Sequence, residues 1–148
     1  FTREVNPATV RFNIEQFKSQ LRSHVNVVLW IVTIVLAVVF LGAGLMKLAR
    51  PKEQLAASGM GFVEDFSAGA VKAIGAVEVL AAIGLILPAV TGVAPILVPL
   101  AASGLVLLMV GAIITHLRRK EAPMALANVV LLLLALFVAW GRFGPYAF

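Results

Sequence analysis

Residues 79–115 read VLAAIGLILPAVTGVAPILVPLAASGLVLLMVGAIIT and contain no charged side chain. The run is too long for one membrane crossing, because about 20 residues of α-helix cover a hydrocarbon core of ~30 Å. Pro88, Thr91-Gly92, Pro95 and Pro99 interrupt it, and a turn near Pro88–Gly92 divides it into a hairpin of two helices. Counted back from that turn, the first arm begins near Ala68 and carries Glu78 near the middle of the bilayer. A charge at that depth costs at least ~2.5–3.5 kcal/mol, so the carboxylate is expected to be paired, protonated or functional.

The rest of the composition agrees. The 148 residues are 61% hydrophobic and 13% charged, with a mean hydropathy of +1.04, which is the signature of a polytopic membrane protein of one domain. The chain has no cysteine, so disulfides, thiolate catalysis, iron–sulfur clusters and covalent haem attachment are excluded. A formal charge of +5 fits basic residues retained in cytoplasmic loops, and no nucleic-acid motif accompanies it.

Four apolar spans are readable, at about Val25–Met46, Ala68–Leu87, Val93–Thr115 and Ala122–Trp140. The fold class expected is therefore all-α, a four-transmembrane-helix antiparallel bundle over residues 25–142 with a short tail at 143–148. Ahead of it, Asn6-Pro7 has the form of a helix start. Val10, Ile14, Phe17 and Leu21 then recur at helical spacing, with Arg11, Lys18 and Arg22 along another face. Residues 1–24 thus read as an N-terminal amphipathic helix, lying on the membrane surface or docked on the bundle or a partner. Phe1 in place of an initiator Met is consistent with a processed end or an extension. Between the first two spans, Ser67 is a candidate cap for the second helix, and Glu64 and Asp65 are expected to favour its positive end. Arg50, Lys52 and Arg118–Lys120 place the loops after spans one and three in the cytoplasm, whereas Arg11, Lys18 and Arg22 argue the reverse.

Antiparallel spans gather the polar side chains at one end. Lys47, Lys72, His116 and Asn128 belong to helix ends on the same side, with Glu78 ~13–15 Å and Asn128 ~9 Å below that surface. The opposite half, residues 79–87 and 131–139, is almost wholly apolar. This asymmetry points to a polar pocket lined by Lys47, Glu78, His116 and Asn128, with Lys72 at its rim. Gly44 precedes Lys47 by three residues, as Gly75 precedes Glu78, so small residues open the way to a direct Lys47–Glu78 ion pair. Each residue also has a plainer role. Glu78 can be a neutralised structural carboxylate, the lysines can snorkel to headgroups, and Asn128 can join helices. His116 can sit as an interfacial residue at a helix C-terminus, or serve as a hydrogen-bond donor to a quinone carbonyl or a proton relay. His24 lies near the other membrane face, so the two histidines do not share a metal, and no metal site is expected.

The ordered set from Phe40-Leu-Gly-Ala-Gly-Leu-Met-Lys47, through Gly59-Met-Gly-Phe-Val-Glu-Asp-Phe-Ser67 and Gly75-Ala-Val-Glu78, to Gly84-Leu-Ile-Leu-Pro88 resembles the DoxX-like family. The likeness continues through Met109-Val-Gly-Ala112 and His116 to Asn128 and covers about residues 25–142, leaving residues 1–24 outside. It implies a small four-helix protein of the prokaryotic plasma membrane. The family takes its name from a subunit associated with archaeal terminal quinol oxidase and thiosulfate:quinone oxidoreductase, and other members are thought to assist redox or stress-response complexes. The resemblance therefore implies an accessory or assembly subunit with other membrane proteins as partners and a quinone or lipid as the molecule in the pocket. The alternative is a stand-alone homo-oligomer that handles a small molecule or protons. An enzyme is the least favoured class, since no nucleophile–base pair, phosphate loop or metal set is visible.

Overall fold

The computed structural model describes residues 6–148, which are helical throughout their regular structure. Helix α1 spans Pro7–Ala49, α2 Lys52–Ala57, α3 Ala68–Thr91, α4 Leu97–Arg118 and α5 Ala122–Phe143, with a 3₁₀ turn at Gly61–Asp65. Four of these, α1, α3, α4 and α5, are long and apolar enough to cross a membrane. They close a ring in which α1 packs chiefly on α3 and α4 on α5, joined by α3–α4 and α1–α5 contacts. Leu36, Phe40, Leu85, Val98, Leu105 and Val138 fill its centre. Large apolar side chains such as Leu80, Leu107, Leu126 and Leu133 point outward, as a lipid-facing surface requires.

The N-terminal segment differs from expectation in one respect. It starts where the sequence indicated, with the Asn6 side chain accepting from the Ala8 N–H at 2.9 Å and Pro7 in the first turn. It does not form a separate helix. No glycine or proline falls between Ala8 and Leu41, so nothing stops propagation and α1 continues for 43 residues, ~64 Å at 1.5 Å per residue. Pro7–His24 are exposed along their whole length. The amphipathic stretch therefore extends α1 beyond the bundle, with Arg22 near its end donating to the Pro145 carbonyl of the C-terminal tail at 2.9 Å. Residues 1–5 lie outside the described residues.

The α3–α4 hairpin turns slightly later than its prolines suggested. Pro88 is buried inside α3, which runs on to Thr91 and ends at Gly92 with φ +69°. A proline forfeits one backbone hydrogen bond, and packing against the bundle tolerates that. The reversal itself falls on Gly92 and Ala94, the latter at φ +48°. At the other side of the membrane, α2 and the 3₁₀ turn fold over the bundle end through Leu55, Val63 and Val71. Ser67 caps α3 by accepting from the Ala70 N–H at 3.1 Å.

Candidate functional site

The site begins with two glycines. A Cβ on Gly44 would lie 2.7 Å from the Gly75 carbonyl oxygen, and one on Gly75 would lie 2.8 Å from the Lys47 Cβ. Helices α1 and α3 therefore touch backbone to backbone here, and only glycine permits it. Three residues further along each helix, Lys47 Nζ donates to both carboxylate oxygens of Glu78, at 2.9 and 2.8 Å. Both residues are buried, with 4% and 5% exposure. The expected ion pair is thus present, and each partner compensates the desolvation of the other.

Glu78 presents to a cavity of about 370 Å³ between α3, α4 and α5. Phe62, Phe66, Ile74, Met109, His116 and Asn128 line it with Glu78, and Gly111 and Ala112 leave it space. That volume lies within the range of small-molecule sites. Of the residues expected to line a pocket, Glu78, His116 and Asn128 do so. Lys47 stands behind Glu78, 5.8 Å from the Phe62 ring centroid. Lys72 is not a rim residue: its Nζ donates to the carbonyls of Lys47, Leu48 and Arg50 at 2.9, 2.7 and 2.7 Å. It closes the C-terminus of α1, where free carbonyls and the helix dipole favour a cation. Asn128 joins no helices. Its Nδ2 donates to the Met124 carbonyl of its own helix at 2.9 Å.

His116 is held from outside the cavity. Its Nδ1 lies 2.6 Å from Glu121 Oε2, and its ring meets the edge of Phe62 at 5.4 Å between centroids. A carboxylate accepts only, so Nδ1 carries a proton, and in the neutral imidazole Nε2 is then an acceptor. Arg119 completes the rim by donating from Nε to Glu121 Oε1 at 2.9 Å and from Nη1 to Asp65 Oδ1 at 2.9 Å. Hydrogen bonds from Arg119 and then His116 hold the Glu121 carboxyl below its ordinary value of 4.5. The bond to Glu121, with Asp65 nearby, pushes the Arg119 guanidinium up. Glu64 and Asp65 thus face Arg119 rather than the start of α3, because the 3₁₀ turn carries them toward the α4–α5 connection.

Sequence reasoning missed Glu121, Arg119 and the two phenylalanines as parts of the site. The phenylalanines did leave a signal, an aromatic pair beside glycines in a loop bordering an apolar bundle. Glu121 left none, since its approach to His116 depends on how the chain turns between α4 and α5.

Fold and site together define a multi-pass helical membrane protein with a buried ion pair beside a cavity. The profile of the DoxX-like family matches residues 31–138, and the chain belongs to that family. The match contains Lys47, Glu78, His116 and Asn128, and leaves out the whole N-terminal extension and the end of α5. No curated protein and no solved structure matches the chain.

Proposed function

We propose that the protein is an accessory subunit of a quinone-linked membrane complex and that its cavity holds a quinone-class headgroup, preferentially in the reduced, quinol form. The observation that carries this reading is the pairing of two hydrogen-bond acceptors across an aromatic, apolar cavity. One is the Glu78 carboxylate, whose two oxygens accept from Lys47 Nζ. The other is His116 Nε2, which accepts when the imidazole is neutral with its proton on Nδ1 toward Glu121. A quinol offers two hydroxyl donors on a flat ring, which Phe62 and Phe66 match. A quinone, with acceptors only, would need the doubly protonated imidazole. The basic residues around this end, Arg50, Lys52 and Arg118–Lys120, favour the cytoplasmic side for its mouth.

Two measurements test the proposal. Purified protein in a non-ionic detergent should bind a short-chain quinol saturably and more tightly than its quinone, and Glu78→Gln should weaken quinol binding about tenfold. Equal binding by the variant, or no saturable binding, overturns the cavity assignment. Gentle purification from the membrane should yield a stoichiometric protein partner. A pure homo-oligomer would replace the accessory role with that of a stand-alone handler of small molecules or protons.

A further inference from the structure

The opposite end of the bundle holds a second buried cation, without an acidic partner among the described residues. Arg142, in the last turn of α5, is 4% exposed. Its Nη1 donates to Asn26 Oδ1 at 2.7 Å and to the Tyr146 carbonyl at 2.8 Å. Its guanidinium lies 4.1 Å from the Phe148 ring centroid and 5.5 Å from that of Trp30. These contacts fix the plane and direction of the group. Nε and Nη2, however, are shielded from water and have no hydrogen-bond partner among the described residues.

The chemistry of those two atoms is specific. Nε and Nη2 form one edge of the guanidinium and present two parallel N–H bonds, the fork that grips two oxygens of a single oxyanion. A buried charge-bearing donor left unmade is costly, so two on one edge indicate a missing acceptor. Arg142 borders a cavity of about 190 Å³, with Pro95, Ile96, Ala147 and Phe148 as its other walls. Pro95 and Ile96 lead into the N-terminus of α4 at Leu97, where backbone N–H groups and the helix dipole favour negative charge. Phe148 is half exposed, lines the cavity and lies against the guanidinium, whose Nε and Nη2 have no accessible surface, so an entering group must displace neighbouring side chains to reach that edge.

We propose that this cavity binds a phosphate oxyanion, held bidentately by Arg142 Nε and Nη2 and supported by the start of α4. The volume is ample for a phosphate group. Arg142 and Ile96 stand at the ends of apolar helices, and Trp30 lies near the start of the apolar part of α1, positions typical of the headgroup region. The site is separate from the Glu78 cavity, and its key residues Asn26, Trp30 and Arg142 lie outside the family match.

The test uses the full chain in phosphate-free maltoside detergent. Native mass spectrometry with added phosphatidylglycerol should show a retained lipid adduct. Its apparent affinity should fall about tenfold or more in Arg142→Gln and less in Arg142→Lys, which keeps the charge but not the fork. Arg118→Gln, exposed at the other end, should bind as the wild type does. Inorganic phosphate is the second arm. If it competes with the lipid or raises Tm through Arg142, the site takes soluble phosphate groups, and if only phosphatidylglycerol responds, the ligand is a headgroup. Identical responses of wild type and Arg142→Gln to both probes overturn the proposal. Should Arg142→Gln not fold, Asn26→Asp keeps the arginine and sets a competing carboxylate on Nη1. It should weaken both probes about tenfold, and unchanged binding would equally overturn the site.

Discussion

Each end of the bundle buries one lysine or arginine among the described residues, and the two are stabilised by different means. At the Lys47 end, α1 and α3 approach through Gly44 and Gly75 until the ammonium meets the Glu78 carboxylate at two oxygens. At the Arg142 end, α1 approaches α5 at Gly141, where a Cβ would lie 2.7 Å from Leu29. There, among the described residues, the guanidinium meets only an amide, a carbonyl and two aromatic rings. One end is electrostatically closed within the chain and the other is not. The comparison teaches that burial alone does not reveal a charge's role, and that the number of satisfied donors does.

Breaking the closed end should cost most. Lys47→Met leaves an unpaired buried carboxylate and is expected to destabilise the protein by ~3–5 kcal/mol, measured by thermal or denaturant unfolding in detergent. Adding Glu78→Gln should recover part of that loss. Strictly additive single effects would show that the pair is not coupled. At the open end, Asn26→Ala removes an acceptor from a charged donor and should cost ~1.5–3 kcal/mol. A neutral result there would mean that Asn26 does not orient Arg142. Gly75→Ala forces a methyl into the α1–α3 backbone contact, with an expected loss of ~1–3 kcal/mol. Because it separates Lys47 from Glu78, its effect should shrink in the Lys47→Met, Glu78→Gln background.

The smallest effect belongs to the rim. The Glu121 carboxyl is held below 4.5 by Arg119 and His116, so its contribution is present above the unfolded value. It is lost as pH falls through the lower, folded value. The Tm difference between wild type and Glu121→Gln should therefore shrink as pH falls below the ordinary carboxylate range and vanish below the lowered, folded value. A difference that persists there would assign Glu121 a role other than its charge.

Much of the architecture was legible because bilayer thickness sets span length. An uncharged run from Val79 to Thr115 with Gly92 inside it can only be a hairpin in lipid, and its first arm must then carry Glu78. The glycines at equal offsets before Lys47 and Glu78 indicated the pair in the same way. Other features were hidden because they depend on groups far apart in sequence. Lys72 looked like a pocket residue, but the α1 carbonyls 22 to 25 positions earlier claim it. Glu64 and Asp65 looked like helix-dipole partners, but Arg119, 54 or 55 positions away, reaches them.

By itself the sequence determined an all-helical, four-span membrane protein with its polar residues toward one end, since hydrophobic length and small-residue spacing act locally along the chain. Tertiary structure decided which charges are satisfied. Lys47 and Glu78 close on each other through the Gly44–Gly75 contact, and His116 is committed through Nδ1 by the turn that brings Glu121 to it. Arg142, in sequence only a charge that ends a span, is left in the fold with one edge of its guanidinium unbound. That distinction rests on hydrogen-bond geometry, which is short-ranged and directional and comes into being only when the helices pack.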